Sequence, residues 1–273
     1  MAIILISTVF FLQGCSPEKK LAKEYAGQPE MMPLLVLSAD FIYKSSLKEF
    51  EIEDAEMMTE EELDSALYYN SLFLKEINDS TFIARYLGAF IQELELLGFN
   101  VFREEQFNEF LELNKKGYTI NLSQISIEEY IHSYTADEVV LFEVVSVSGI
   151  DLNALNINTW FEFNSVNSDT ADAKIFFSSD YIFDDLDGYF KSYLFSTDAT
   201  YEFTIDTIKS ENIYLFTEEL GKVYAGFAYD YFLNIYLNDR LPESAGDESY
   251  YHYDREAGQI RLAGEFERFM ELE

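Results

Sequence analysis

The residues of this chain that could do chemistry are two histidines, one cysteine, fifty-one carboxylates and a cluster of tyrosines. His132 and His252 are far apart, and no His-Glu-x-x-His pair is present, so the usual spacing of a hydrolytic zinc site is missing. No Gly-x-Ser-x-Gly elbow supplies a serine nucleophile. No Walker loop or dinucleotide fingerprint supplies a phosphate cradle. Both histidines therefore read as structural or surface residues, His132 in an expected helix and His252 in a strand. The carboxylate spacing closest to a cation site runs from Asp180 to Gly188, with Asp184, Asp185 and Asp187 as candidate ligands. Calcium needs several oxygens converging at about 2.3–2.6 Å. In the EF-hand register Phe183 falls on the first ligand position and Leu194 on the twelfth, so that motif fails. The other reading is an acidic hairpin turn built on Asp187-Gly188. Tyr250, Tyr251 and Tyr253 surround His252 and are the candidate ring platform for a sugar, against the alternative that they cover a core. A carboxylate pair for glycoside hydrolysis has no diagnostic value among so many acids. No catalytic residue and no cofactor is expected.

The lone cysteine has the most specific surroundings. Ala2 to Leu12 is apolar except for Ser7 and Thr8. That run is shorter than the roughly 20 residues a spanning helix needs, and it has the length of a signal-peptide core. It ends in Leu12-Gln13-Gly14-Cys15, which resembles the lipobox of bacterial lipoproteins. The resemblance implies cleavage before Cys15 and a diacylglycerol thioether on its sulfur. Two or more acyl chains hold a protein on a membrane stably, where one does not. The chain departs from the pattern in having no Lys or Arg before Cys15. With one cysteine in the chain, an internal disulfide is impossible.

Composition bounds the rest. With 48% apolar residues the chain can build a core. The formal net charge is -33, and no Lys or Arg occurs between Gly117 and Ala173. Nucleic-acid binding needs cations to displace counterions and is excluded as a role. The same charge argues against adhesion of the body to anionic headgroups. It keeps the chain soluble, steers a basic partner or holds divalent cations.

Those residues must be positioned by regular elements. Residues 1–14 read as a cleaved leader, 15–32 as a lipidated flexible tether carrying Lys19, Lys20 and Lys23, and 33–273 as one body. Pro33–Ala39 is a candidate first strand, and the acidic stretch from Glu51 to Asp64 a solvated loop or frayed helix. Phe82, Tyr86, Phe90 and Leu94 recur every four residues and define a helix over about 79–97, capped by Asp79 or Ser80 and closed at Gly98. Strands are expected at 99–102, 118–122, 139–147 (central), 159–166, 173–178 and 201–205. Ser126–Tyr134, with Ser126 and Glu129 in capping-box spacing, reads as a short helix. Thr217–Asn238 is a second long helix, 250–253 and 259–262 a hairpin, and 266–272 a helical turn. The fold class is α/β (α+β): a mixed, largely antiparallel sheet packed by two long amphipathic helices. Two abutting lobes split near 149–155 are the alternative.

The lipobox, the helix ending Leu97-Gly98-Phe99 and the later strands around Asp187-Gly188 resemble small α/β envelope lipoproteins: those of lipopolysaccharide transport, curli secretion and penicillin-binding-protein activation. Ser16 after the cysteine resembles lipoproteins sorted to the outer membrane, and the Ile, Asn, Phe and Tyr content resembles Bacteroidota lipoproteins. The resemblance implies a non-enzymatic assembly or accessory role in the envelope, with the membrane and another envelope protein as partners. A glycan-binding lipoprotein is the alternative.

Overall fold

A computed structural model describes residues 16–28, 32–140, 143–167, 173–192, 199–241, 249–255 and 257–272. Cys15, the lipobox and Leu194 lie outside the described residues. The chain is built on two strands of 24 residues, β4 (Gly117–Val140) and β5 (Glu143–Val166), paired antiparallel along their length. On the far side of β5 comes β6 (Ala173–Phe183), and on β6 the short β11 (Met270–Leu272), both antiparallel. The other edge of β4 carries two parallel strands in succession. β1 (Pro33–Leu37) pairs with 118–121 and β2 (Ile42–Ser46) with 125–129. A register shift between Leu122 and Gln124 falls where one hands over to the other. β3 (Asn100–Arg103) pairs parallel outside β1. The result is a seven-stranded mixed sheet, largely antiparallel by length of pairing. Past Glu129 and Ala154 the β4–β5 pair has no further neighbour in the sheet among the described residues and continues as a two-stranded arm, about 35 Å long at strand rise.

The long helices α3 (Asp79–Leu96) and α5 (Ser210–Asn238) pack on each other and on one face of this sheet. Their side chains meet the inward positions of β5: Phe90 on Phe161, Tyr224 on Phe161 and Phe232 on Phe163. Close approach of the helices needs Gly221, where a Cβ would stand 2.5 Å from the Tyr86 carbonyl oxygen. α3 begins on Asn78, whose side chain accepts the Thr81 amide, one residue before the expected cap. It ends in a Schellman motif: Phe99 N–H donates to Leu94 and Gly98 N–H to Glu95, with Gly98 at φ 99°. In α5 amphipathic character fades toward the C-terminus, because every residue from Ala228 to Asn234 is buried. Three shorter helices, α1 (Pro17–Ala26), α2 (Glu60–Asn70) and α4 (Phe107–Glu112), sit at the periphery. β7 (Asp185–Ser192) and β8 (Ala199–Asp206) form a separate ribbon, and β9 (Tyr251–Asp254) with β10 (Gln259–Leu262) the expected hairpin.

Four expectations are corrected. The flexible tether over 15–32 is, from Pro17 to Ala26, a helix whose Ala22 and Tyr25 are buried against α5. Ser126–Tyr134 is the middle of β4, not a helix, and His132 is a strand residue. The expected central strand at 139–147 is split between the ends of β4 and β5 at the tip of the arm. Residues 149–155 lie inside β5, so no lobe boundary falls there. Beyond these, 266–272 holds one 3-10 turn and then β11 rather than a helical turn.

Candidate functional site

The acidic stretch ending in Gly188 is built into the fold as structure. β6 stops at Phe183 and β7 starts at Asp185, leaving Asp184 buried at the kink. Asp184 Oδ2 accepts from the Asn153 backbone and side-chain amides at 3.0 and 2.8 Å, and Oδ1 from Ile208 N–H at 3.0 Å. Asn153 passes the chain of bonds on by accepting from Lys48 Nζ at 2.8 Å, and Lys48 pairs with Glu129 at 2.9 Å. Glu129 in turn accepts the Leu72 and Phe73 amides, both at 3.0 Å. Four loop and strand ends are thus tied together inside the protein, with Lys48 2% and Glu129 0% exposed. Asp185 and Asp187 point outward on β7 and do not converge with Asp184. Gly188 pairs with Phe203 in mid-strand, so the expected turn is absent, and a Cβ there would run into the Tyr201 hydroxyl. Among the described residues no group of three His, Cys, Asp or Glu could hold a metal ion.

The tyrosines around His252 are not gathered on one surface. Tyr253 is buried in the core, Tyr251 is half-buried, and Tyr250 precedes the strand and lines a cleft. The hairpin is fastened to α5 by side chains. Asn234 exchanges hydrogen bonds with the Tyr251 backbone, both at 2.8 Å, and buried Asp230 accepts from Tyr253 N–H. His252 Nδ1 lies 2.6 Å from Asp230 Oδ2. That bond raises the histidine pKa above its ordinary value, while burial raises that of Asp230. The imidazole is fixed through Nδ1, and among the described residues no group of three His, Cys, Asp or Glu includes it. The adjoining cleft of about 600 Å³ is lined by Tyr231, Asn238, Tyr250, Glu265, Arg268 and Phe269. Arg268 covers the Tyr250 ring at 5.1 Å from its centroid, and burial raises the Tyr250 pKa.

Two surfaces not foreseen from the sequence stand out. The first is the segment Phe41–Leu72, where α2 packs beside β2. Phe41, Tyr43, Leu47, Phe50, Met57, Tyr69 and Leu72 are exposed, Phe50 by 73% and Met57 by 85%. The second is the sheet face turned away from α3 and α5. On β6 its outward positions are Ile175, Phe177, Ser179, Tyr181 and Phe183, and on β5 they include Asn156, Asn158 and Trp160. A solvated sheet face ordinarily alternates to polar residues. This one carries rings: Trp160 packs on Phe177 at 5.0 Å, and His132 stacks on Phe183 at 4.8 Å and on Tyr181 at 6.1 Å.

No family model matches the chain, and no curated protein matches it. Among solved structures, that of a neuraminyllactose-binding hemagglutinin homolog from Helicobacter pylori is similar over 80% of this chain and 91% of that chain, with 11% identity and a TM-score of 0.25. At that TM-score the likeness carries no argument about fold or ligand. Among the described residues no helix is long and apolar enough to cross a membrane.

Proposed function

We propose that the protein is a lipid-anchored envelope lipoprotein with a non-enzymatic assembly or accessory role, and that it works through protein–protein contact in the segment Phe41–Leu72. The observation that carries this reading is the mixture of side chains there. Large apolar groups exposed together are uncommon on a monomer and mark contact sites. Aromatic residues and methionine are the types enriched in interface cores. Between Leu47 and Asp64 nine carboxylates surround them, and the one base, Lys48, is turned inward onto Glu129. The partner that suits this surface offers Lys or Arg around an apolar strip, and salt slows its association.

The anchor is the second part of the proposal. Leu12-Gln13-Gly14-Cys15 supports lipid on Cys15, which would place the contact at the outer membrane. Radioactive palmitate fed to cells labels the wild-type chain and not Cys15→Ser; an unlabelled wild type removes the anchor. For the contact, a photo-crosslinking amino acid at position 50 or 57 gives one discrete heavier band containing another envelope protein. Phe50→Ser elsewhere in the same chain weakens that band from position 57. Recovery of the chain only as a lone monomer from several detergents refutes the contact.

A further inference from the structure

The outward face of β4, β5 and β6 borders the contact proposed above at Tyr43, which pairs with Ser126 on β4. Register fixes its layout. Asn156 stands between Glu128 and Tyr181, Asn158 between Ser126 and Ser179, and Trp160 between Gln124 and Phe177. The middle of the face is polar and locked. Glu128 Oε2 accepts from Asn156 Nδ2 at 3.2 Å and from Asn158 Nδ2 at 3.0 Å. Asn156 Nδ2 also donates to Asn158 Oδ1 at 3.2 Å, and the Ser179 hydroxyl donates to Asn156 Oδ1 at 2.9 Å. These planar groups hold one another in place before any ligand arrives, so little side-chain freedom remains to be lost on binding.

Rings bracket that polar middle. Trp160 and Phe177 lie on one side; Tyr181, Phe183 and His132 lie on the other. Phe177 and Tyr181 are four residues apart on one strand, which separates their positions by about 14 Å. The span is longer than one sugar ring and suits an oligomer.

Charge decides what kind. Among the described outward positions of β2, β4, β5, β6 and β11 there is no Lys or Arg, while Glu128 and Glu162 supply carboxylates. The face therefore repels an anionic chain and offers acceptors to a ligand rich in donors. A protein partner is disfavoured by the same layout, because interface cores are depleted of carboxylates and here a carboxylate with two amides occupies the centre. We propose that this face binds a neutral oligosaccharide. Its hydroxyls would hydrogen-bond to Glu128 and Asn156, which buried Asn158 holds in place from beneath, and the apolar faces of its rings would stack on Trp160 and Tyr181. This inference rests on other residues than the protein contact at Phe41–Leu72, and either can fail without the other.

Trp160 is the only tryptophan, so its emission reports on the site directly. The full chain, held in a detergent that contains no sugar, is titrated with soluble oligomers of glucan, mannan, xylan and N-acetylglucosamine, and with a uronic-acid oligomer. Expected is a saturable shift of Trp160 emission with at least one neutral oligomer, and binding of the uronic-acid oligomer about tenfold weaker or absent. Trp160→Ala, followed by calorimetry, weakens binding about fivefold or more, and Trp160→Phe restores most of it, as loss and return of a stacking ring requires. Tyr250→Ala, in the separate cleft, leaves affinity unchanged. No saturable shift with any neutral oligomer overturns the proposal. So does an affinity indifferent to Trp160→Ala in a variant with wild-type thermal unfolding, or equal binding of the anionic oligomer. A Lys-rich amphipathic peptide that shifts Trp160 when no oligosaccharide does overturns it in favour of protein contact.

Discussion

Lys48→Met keeps the long stem of the side chain and removes the ammonium, which makes it a clean probe of the buried network. In the native protein Lys48 Nζ serves Glu129 at 2.9 Å and Asn153 at 2.8 Å. The variant leaves the Glu129 carboxyl without its ammonium partner in a site with no solvent exposure, held by the Leu72 and Phe73 amides. Removing one partner of a buried ion pair costs about 3–5 kcal/mol. For a domain of this size each kcal/mol lowers Tm by about 2–4 °C, so a drop of about 6–20 °C is expected. Replacing a whole buried pair with apolar residues is often harmless. It is not expected to be so here, because Lys48→Met/Glu129→Met orphans the buried Phe73 amide at about 1–3 kcal/mol and also removes the acceptor of the part-buried Leu72 amide. The assay is urea unfolding of wild type, single and double variants, followed by circular dichroism. A loss below about 1 kcal/mol in the single variant, or full recovery in the double variant, refutes the account of Glu129 as the acceptor that holds the α2–α3 connection to β4.

Other perturbations follow from the same geometry. His252→Ala leaves Asp230 with the Tyr253 amide alone and costs about 1–3 kcal/mol near pH 6. Because the folded histidine pKa is raised, its stabilisation is complete below about 6.5 and fades as pH rises through the folded value. The gap between wild type and variant therefore narrows at alkaline pH, and a gap constant across urea melts from acid to alkaline pH contradicts the pairing. Gly221→Ala drives a methyl into the Tyr86 carbonyl and costs about 1–3 kcal/mol despite the better helix propensity of alanine; unchanged denaturation means the helices part cheaply.

What the sequence made legible were elements whose signals are local. The four-residue spacing from Phe82 to Leu94, with Gly98 behind it, needs no tertiary knowledge, and α3 falls there within a residue. The β9–β10 hairpin and β1 are of the same kind. Ser126–Tyr134 failed for a tertiary reason. Ile125, Ile127 and Glu129 share the inward face of β4, and a glutamate at an inward position breaks the apolar alternation that marks a strand. Lys48 and the Leu72 and Phe73 amides, all distant in sequence, make that position tolerable. Asp184 misled in the same way, since its partners come from β5 and the entry to α5. The candidate surfaces were harder still. Counting aromatic residues does not separate Tyr253 in the core from Tyr181 on the face. The outward alternation of Asn156, Asn158 and Trp160 was present in the sequence, but its meaning depends on which face the helices cover.

The stretch after Cys15 offers a further test, because a docked helix and a loose tether differ in what a protease can reach. Tyr25 is buried between Tyr229 and Tyr236, with ring centroids at 5.4 and 5.1 Å. Among the described residues its hydroxyl is buried without a hydrogen-bond partner. Tyr25→Phe is therefore expected to leave stability unchanged or raise it by up to about 1 kcal/mol, since an unpaired buried hydroxyl is removed. Tyr25→Ala deletes the ring that fastens the helix and costs about 3–5 kcal/mol if the helix unfolds only with the body. If α1 instead melts alone, global stability changes little and the loss appears locally. Trypsin separates these cases at Lys19, Lys20 and Lys23, all of which lie within α1. In the native protein and in Tyr25→Phe these bonds are cut slowly, as helical backbone resists entry into a protease. In Tyr25→Ala they are cut early while the rest of the chain stays intact. Rapid cleavage at these lysines in the wild type would show that α1 does not stay docked. It would also remove the consequence that matters most for the proposed role: with α1 starting two residues after Cys15, a lipid there would hold the body close against the bilayer.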